Sequence, residues 1–207
     1  MKRCVIIGGA EIKNYDIIRG YLKPDDYFVF CDCGLKHMEN LKIKPDLIIG
    51  DFDSYKNPNL AVETITLPRE KDDTDTVFAV KEAEKRGFWD FLLTGVIGGR
   101  LDHTLCNVSI LYYLKNRGLN GIIVDDYSEM KIVADKTEYI PDTFKFFSVL
   151  NISGTAEVIT IKNAKYPIEN ATIRSDYQYG VSNEVLPGLV AEVSVKNGSV
   201  LLIKDRV

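Results

Sequence analysis

A short apolar run that ends in acidic residues organises the first half of the chain: Asp46-Leu47-Ile48-Ile49-Gly50-Asp51-Phe52-Asp53-Ser54. The apolar residues 47–49 are typical of a buried strand, which Gly50 ends. Side chains two positions apart in extended backbone point to the same side, so Asp51 and Asp53 are predicted to share one small volume. Two carboxylates held that close favour a cation between them, and Mg²⁺ prefers such oxygen ligands. The alternative is a polar turn that caps the following segment.

Composition and charge exclude several classes of protein. The chain has 207 residues, of which 45% are hydrophobic and 27% charged, as in ordinary globular proteins. A net charge of -4 argues against non-specific nucleic-acid binding, which needs a basic surface. Because no segment has the pattern of a signal peptide or a membrane span, we expect a cytoplasmic protein with no membrane partner. The cysteines are expected to be reduced, and their spacing does not match a zinc site: Cys4, Cys31, Cys33 and Cys106.

The first half of the chain alternates between strand and helix patterns. Strands are predicted at residues 4–7, 27–31, 47–49, 64–67, 91–97 and 122–124. Helices are predicted at about residues 12–22, 35–41, 75–86 and 101–116. This alternation predicts a mainly parallel α/β sheet with flanking helices.

After about residue 127 the helical periodicity ends and short β-rich runs follow. They lie at residues 131–134, 144–152, 156–161, 171–173, 189–195 and 200–203. Asn197-Gly198, between the last two runs, predicts a hairpin. We therefore expect two domains, an α/β domain over residues 1–127 and an antiparallel β-sandwich or barrel over residues 128–207.

Most of the unusual residues of the first half follow predicted strands, at Gly8-Gly9, Asp32-Cys33-Gly34, residues 50–54 and Gly98-Gly99-Arg100. In a doubly wound sheet, ligands bind outside the carboxyl ends of the strands. Glycines allow close backbone approach, and a Gly-Gly-Arg before a helix offers free N–H groups and a guanidinium to a phosphate. Each glycine pair alone fits a tight turn, but four such strand ends together favour a binding site.

Charged residues also begin two of the predicted helices. In Lys71-Asp72-Asp73-Thr74-Asp75, Thr74 is a candidate helix cap, and Asp72 and Asp73 are expected to complement the helix dipole. Asp75 and Lys71 are equally well placed to reach a metal and a phosphate. A lone histidine is more often structural than catalytic, but His103 directly follows Gly-Gly-Arg-Leu-Asp, which keeps a functional role open. The sequence contains no Walker A motif and no protein-kinase signature. A nucleotide would therefore be held by aspartates, glycine turns and Arg100.

These motifs, in this order, resemble the thiamine pyrophosphokinase family. The resemblance rests on Asp32-Cys33-Gly34, Pro45-Asp46 leading into Gly50-Asp51-Phe52-Asp53-Ser54, Lys71-Asp72-Asp73-Thr74-Asp75, Gly98-Gly99-Arg100-Leu101-Asp102-His103 with Asn107, Lys165-Tyr166-Pro167-Ile168, and Gly180-Val181-Ser182-Asn183-Glu184. One departure is Cys33, where the family usually has glycine.

The resemblance implies a Mg²⁺-dependent enzyme that transfers a pyrophosphoryl group from ATP to the hydroxyl of thiamine, giving thiamine diphosphate and AMP. It also implies a homodimer, with thiamine held near the β-domain at the subunit interface. Carried over by motif, the metal ligands are Asp51, Asp53 and Asp75, and the further catalytic residues are Arg100 and Asp102. The nucleotide contacts are Asp32, Gly34, Lys71, Thr74, Gly99, Arg100, His103 and Asn107. The thiamine contacts are Ser182 and Asn183.

Other functions use part of the same pattern. A pyrophosphokinase could act on another small alcohol, such as a pterin, although the Ser182-Asn183 motif favours thiamine. A non-catalytic sensor of thiamine or a nucleotide would need neither the aspartates nor Arg100, and it would bind without forming AMP. A metal phosphohydrolase would share the carboxylates but release phosphate or pyrophosphate without an acceptor.

Overall fold

The computed structural model describes residues 3–53, 55–56, 58–70, 72–152 and 154–207. The chain divides into two compact units, Met1–Asp126 and Tyr127–Val207. Within the described ranges, none of the helices has the length and apolar character needed to cross a membrane.

A parallel sheet of six strands forms the centre of the first unit. The strands are β1 (Cys4–Ile7), β2 (Tyr27–Cys31), β3 (Leu47–Gly50), β4 (Glu63–Thr66), β5 (Asp90–Thr94) and β6 (Asn120–Val124), in the spatial order β4-β3-β2-β1-β5-β6. The order reverses at β1, which pairs in parallel with β2 on one side and β5 on the other. A ligand cleft is expected at such a switch point, outside the carboxyl ends of the strands.

The helices of this unit carry the loops that follow the strands. They are α1 (Tyr15–Tyr21), a 3-10 helix (Asp32–His37) that continues into α2 (Met38–Leu41), α3 (Asp75–Lys85) and α4 (Leu101–Asn116). Helix α1 starts later than predicted because the Asn14 side chain caps it, accepting from the backbone N–H groups of Asp16 and Ile17. The helix predicted at residues 35–41 begins earlier, directly at the end of β2, because a 3-10 helix precedes α2 there.

The apolar runs that predicted the strands form the core of the first unit. Val5, Ile7, Phe30, Ile48 and Leu92 are fully buried in one cluster. Burying a side chain of this kind contributes about 1.5–3 kcal/mol. The strand ends, and the loops that follow them, are therefore held by a tightly packed sheet.

The second unit is an antiparallel sandwich. Its strands are β7 (Ser128–Val133), β8 (Lys136–Pro141), β9 (Phe146–Leu150), β10 (Thr155–Lys162), β11 (Ile168–Arg174), β12 (Val190–Val195) and β13 (Val200–Asp205). One sheet has the order β7-β13-β9 and the other β11-β10-β12-β8. Phe147 and Leu202 of the first sheet share a buried core with Ile159 and Val193 of the second. The predicted fold class, an α/β sheet followed by an antiparallel β-sandwich, is confirmed.

The predicted hairpin at Asn197-Gly198 is wrong. Strand β12 pairs with β10 and β8, whereas β13 pairs with β7 and β9, so the chain crosses from one sheet to the other. A turn signal marks a reversal of the chain, but two alternating strands can either pair or pack in facing sheets. Here Asn197 makes two backbone hydrogen bonds with Glu157, of 2.9 and 3.3 Å. Strand β8 escaped prediction because it is a sheet edge, where polar residues and Pro141 are tolerated.

Candidate active site

A cleft of about 780 Å³ lies at the carboxyl ends of the strands in the first unit. Nine of the residues predicted to act in catalysis or binding line it: Asp32, Asp51, Asp53, Thr74, Asp75, Gly99, Arg100, His103 and Asn107. Lys71, together with Ser54 of the acidic motif, lies outside the described residues. The strand ends that sequence analysis singled out therefore meet in one cavity.

Three carboxylates converge in this cleft. Asp32 follows β2, Asp51 follows β3 and Asp75 begins α3, and one oxygen of each lies within 4.8 Å of the others. Asp32 is only 8% exposed. Burial, aided by the charges of Asp75 and Asp51, raises the pKa of Asp32, although hydrogen bonds from Cys33 oppose that shift.

This acidic trio (Asp32, Asp51 and Asp75) has the chemistry of a site for a divalent cation. Within the described part of the chain, Asp32 Oδ1 is buried without a hydrogen-bond partner. A buried carboxylate oxygen in that state carries an uncompensated desolvation cost. Hard carboxylate oxygens from three separate elements suit Mg²⁺, which keeps its remaining positions for water and substrate phosphate.

Asp53 lies outside the acidic trio, for a local backbone reason. Phe52 has a φ of 55°, in the left-handed region, so the chain between the two aspartates is turned and not extended. The backbone N–H of Asp53 donates to Asp51 Oδ1 at 3.2 Å, which makes a polar turn. The polar turn, which the sequence analysis gave as the alternative to a shared cation site, is therefore the backbone conformation of residues 51–53. Asp53 still lines the cleft, and its role as a metal ligand stays a prediction.

The turn after β2 is shaped by close backbone approaches. A Cβ added to Gly34 would lie 2.2 Å from the carbonyl oxygen of Ile7, so this position accepts only glycine. A Cβ added to Gly9 would lie 2.5 Å from the Cβ of Cys33. The Cys33 side chain is therefore accommodated by Gly9 across the turn. Its thiol is 3.4 Å from Asp32 Oδ2 and donates to it.

A buried histidine, which sequence analysis did not single out, fixes another wall of the cleft. His37 is 2% exposed, and its Nε2 lies 2.8 Å from the carbonyl oxygen of Ala10. A carbonyl only accepts, so Nε2 donates, and Nδ1 accepts from the Tyr15 hydroxyl at 2.8 Å. Burial lowers the pKa of His37, in keeping with this neutral form. Beside it, Lys36 Nζ donates to the Gly9 carbonyl at 2.6 Å. Both bonds hold the glycine turn after β1.

At the start of α4, Arg100 and Asp102 form a two-bond pair. Arg100 Nε donates to Asp102 Oδ1 at 3.2 Å and Nη2 donates to Oδ2 at 2.6 Å. Hydrogen bonds from Arg100, and then from the backbone of His103, lower the pKa of Asp102 to about 2. Asp102 is outside the cleft lining, whereas Arg100 is part of it. The catalytic role of Asp102 stays a prediction.

Two polar residues of α4 hold the loop after β5. Asn107 Nδ2 donates to the carbonyl of Val96 at 2.7 Å in a buried bond. The Thr104 hydroxyl is 3.2 Å from both the N–H and the carbonyl oxygen of Gly98. Asn107 therefore fixes the loop that lines the cleft, in addition to lining it. On α3, the predicted cap at Thr74 is confirmed, since its hydroxyl accepts from Val77 N at 3.3 Å.

Comparison with known proteins agrees with this arrangement. The model of the catalytic domain of thiamin pyrophosphokinase matches residues 18–123, and the model of its vitamin B1 binding domain matches residues 129–200. The chain belongs to the thiamin pyrophosphokinase family. The thiamine pyrophosphokinase of Bacillus subtilis is 24% identical over 194 residues, which cover 90% of this chain and 91% of that protein.

Solved structures of the family share the whole fold. A structure from Bacillus subtilis superposes with a TM-score of 0.88 at 21% identity and covers 100% of both chains. One from Geobacillus thermodenitrificans has a TM-score of 0.84 at 26% identity, covering 98% of this chain and 97% of that one. The family resemblance inferred from the motifs is thereby confirmed.

The two residues predicted to contact thiamine lie in the second unit, within the range matched by the vitamin B1 binding domain. Ser182 is exposed, has a φ of 56°, and donates its N–H to Ser148 Oγ at 3.1 Å. Asn183, directly beside it, is buried. A non-glycine residue in the left-handed region costs energy and is typical of functional sites.

Proposed function

We propose that the acidic trio holds the Mg²⁺ with which this chain transfers a pyrophosphoryl group from ATP to thiamine. The activity is that of the family, a thiamine diphosphokinase with ATP as co-substrate. The observation that carries the residue assignment is the convergence of three carboxylates on one point of the cleft of about 780 Å³. When bound there, Mg²⁺ would balance the charge of the ATP phosphates.

The remaining residues of the cleft position the reactants. The thiamine hydroxyl attacks the β-phosphorus of ATP, a new O–P bond forms, and the bond to the α-phosphate oxygen breaks as AMP leaves. Such transfers depend mainly on positioning and on charge stabilisation. Arg100, oriented by Asp102, provides a guanidinium for the phosphate oxygens. The N–H groups at the start of α4 provide further donors beside it.

The proton of the thiamine hydroxyl passes to a carboxylate of the cleft. Asp32, Asp53 and Asp75 are the candidates, and Asp53 is the one outside the acidic trio. A base must lie within hydrogen-bond reach of the attacking oxygen, directly or through one water. Comparing Asp53→Asn with Asp32→Asn separates the roles. Loss of a base lowers turnover at any Mg²⁺ concentration, whereas loss of a ligand raises the Mg²⁺ concentration required.

A homodimer is part of the proposal. Within the described ranges, the second unit exposes several large apolar side chains, among them Tyr166, Tyr177, Tyr179 and Val181. Apolar exposure of this kind is typical of a surface covered by a partner. Sedimentation equilibrium at micromolar protein is expected to give the mass of two chains, and a monomer under those conditions would contradict this part.

An AMP-release assay tests the reaction. We expect AMP and thiamine diphosphate only when ATP, Mg²⁺ and thiamine are all present, and neither product in excess EDTA. AMP formed with a pterin alcohol in place of thiamine would identify another acceptor. Phosphate or pyrophosphate released without any acceptor would identify a hydrolase. Glu11→Gln is a matched control for the Asp32 and Asp53 variants, because Glu11 lines the cleft outside the acidic trio, carries the same charge and belongs to none of the family motifs.

A further inference from the structure

Asp32 is the buried member of the acidic trio, and its backbone is strained. Its φ of 37° lies in the left-handed region, which residues other than glycine rarely adopt. At the end of the adjacent strand, a Cβ added to Gly50 would lie 3.0 Å from the Cβ of Asp32, so the two strand ends pack closely. Strain of this kind persists only where neighbouring groups hold it, and it is typical of functional sites.

The carboxylate of Asp32 has one oxygen that is bound and one that is not. The Cys33 thiol donates to Oδ2 at 3.4 Å. Among the residues that the structure describes, none donates a hydrogen bond to Oδ1, although Asp32 is only 8% exposed. A buried carboxylate oxygen without a partner is costly, and a bound cation would offset that cost. The thiol therefore occupies one oxygen and leaves the other available to a cation.

The Cys33 side chain is itself held by the glycine turn after β1. A Cβ added to Gly9 would lie 2.5 Å from the Cβ of Cys33, so the cysteine fills the space that a side chain at residue 9 would take. The carbonyl of Gly9 accepts from Lys36 Nζ at 2.6 Å, which fixes the turn from the 3-10 helix. The sulfur is thus presented to Asp32 from a packed wall of the cleft, which Cys33 also lines.

Cys33 is connected to the cation site through Asp32 and not directly. The three carboxylate oxygens of the acidic trio lie within 4.8 Å of one another, and in the described part of the chain no cysteine sulfur belongs to that group. Thiol groups also suit softer metals, whereas carboxylates suit Mg²⁺ and Mn²⁺. The contact through which Cys33 can influence a cation is therefore its bond to Asp32.

We propose that Cys33 is a positioning residue, whose thiol holds the Asp32 carboxylate by Oδ2 and so raises the affinity of the nucleotide-free cleft for a divalent cation. The proposal rests on the proposed function, which assigns the cation to the acidic trio. It gives the cysteine a role of its own in this chain, separate from the roles of the carboxylates.

Binding of Mn²⁺ to the protein without nucleotide tests this proposal, with the free ion counted by its electron paramagnetic resonance signal. Mn²⁺ accepts the same oxygen ligands as Mg²⁺, and the measurement needs no turnover. We expect Cys33→Ala to raise the Kd for Mn²⁺ about threefold to tenfold, the effect of losing one contact. Cys33→Ser keeps a donor at this position, so its Kd should stay within about twofold of the wild type.

Cys106→Ala is the matched control. Cys106 lies on α4 and is also partly exposed, but it is outside the cleft lining, so the Kd should change less than about twofold. A Cys33→Ala variant that binds Mn²⁺ as tightly as the wild type would overturn the proposal. A Cys33→Ser variant as weak as Cys33→Ala would also overturn it, because a hydroxyl donor would then not replace the thiol.

A double-mutant cycle separates positioning from direct contact. If Cys33 acts through Asp32, the Asp32→Asn/Cys33→Ala variant should bind Mn²⁺ no more weakly than Asp32→Asn alone. Additive losses would mean that the sulfur contacts the cation itself, which would overturn the positioning role. A lower urea midpoint in EDTA for Cys33→Ala, with an unchanged Kd for Mn²⁺, would mean a structural role only.

Activity measurements keep this inference separate from the proposed function. Half-maximal AMP formation by Cys33→Ala should need about threefold to tenfold more Mg²⁺ than the wild type. Weaker Mn²⁺ binding by Cys33→Ala, in a protein that forms no AMP from ATP and thiamine, would contradict the proposed function and leave this inference standing. Thiamine-dependent AMP formation with equal Mn²⁺ affinities would do the reverse. A wild type that binds no Mn²⁺ without nucleotide would overturn the inference, since there would be no affinity for Cys33 to raise.

Discussion

Replacing Asp32 with asparagine should stabilise the metal-free protein while impairing the enzyme. The carboxylate oxygens of the acidic trio lie within 4.8 Å of one another. At that distance two like charges repel by about 3.5 kcal/mol with an effective dielectric constant of about 20. Asp32→Asn removes two such pairs, a repulsion of about 7 kcal/mol before screening by water and salt. Because the cleft is open to water and salt, we expect the free energy of unfolding to rise by about 1–3 kcal/mol.

Urea unfolding, followed by tryptophan fluorescence, measures this effect. The sequence has one tryptophan, Trp89, and it belongs to the first unit, so the signal reports the unit that holds the cleft. In EDTA the Asp32→Asn variant should be more stable than the wild type. A saturating ligand at 100 times its Kd adds about 2.7 kcal/mol, so Mg²⁺ should stabilise the wild type markedly and the variant less. Turnover at a fixed low Mg²⁺ concentration should fall and recover in part as Mg²⁺ is raised.

Glu11→Gln provides the control for net charge. It removes one negative charge from the cleft without touching the acidic trio, so its stability in EDTA should change by less than about 0.5 kcal/mol. If Asp32→Asn lowered the stability of the metal-free protein, or if Mg²⁺ stabilised it as much as the wild type, the assignment of Asp32 to the cation site would be refuted.

Three further predictions concern residues that shape or line the cleft. Burial lowers the pKa of His37, so on acidification the unfolded chain binds a proton at a higher pH than the folded protein does. The free energy of unfolding should therefore fall as pH drops below the ordinary value of 6.5, by up to about 1.4 kcal/mol per pH unit. His37→Gln should reduce this pH dependence in urea titrations at several pH values. Gly34→Ala should unfold at much lower urea concentration, because its Cβ would lie 2.2 Å from a backbone oxygen. Gly99→Ala, whose Cβ would have no atom within 4 Å, should keep wild-type stability. Equal effects of the two substitutions would contradict the packing argument. Arg100→Lys keeps the charge but loses the two-bond geometry with Asp102, so turnover should fall about 10–100-fold at an unchanged thermal midpoint.

The fold was predictable where the sequence has a strong hydrophobic pattern and clear signals for where a strand or helix ends. Residues 27–31 and 101–116 have the same bounds in prediction and structure, because an apolar run or a helical pattern meets an end signal on both sides. Strand β8 lacks such a period, since its position at the edge of a sheet removes the need for two buried faces. Whether the strands before and after Asn197-Gly198 pair with each other or lie in opposite sheets depends on the other strands available as partners. Those strands are distant in sequence, so the local pattern cannot decide it.

The cation site shows the same division between local and distant information. Spacing along the chain suggested that Asp51 pairs with Asp53, on the assumption of an extended backbone. The left-handed conformation of Phe52 contradicts that assumption. Asp51 instead lies close to Asp75 and to Asp32, which follows the adjacent strand. Parallel neighbours bring the ends of β2 and β3 side by side regardless of their separation in sequence. The best sequence signal for Asp32 was therefore its place after a strand.

Side chains that bind the main chain are the hardest part to predict. Asn107, Asn183 and His37 each hold a backbone carbonyl from a distant segment. In sequence, such residues look like ligand contacts, because the same amide and imidazole groups serve both purposes. The distinction matters for mutagenesis, since removing either kind of residue lowers activity. Only a measurement that follows one substrate at a time separates them: a positioning residue loses its effect when the group it positions is already gone, whereas a contact residue does not.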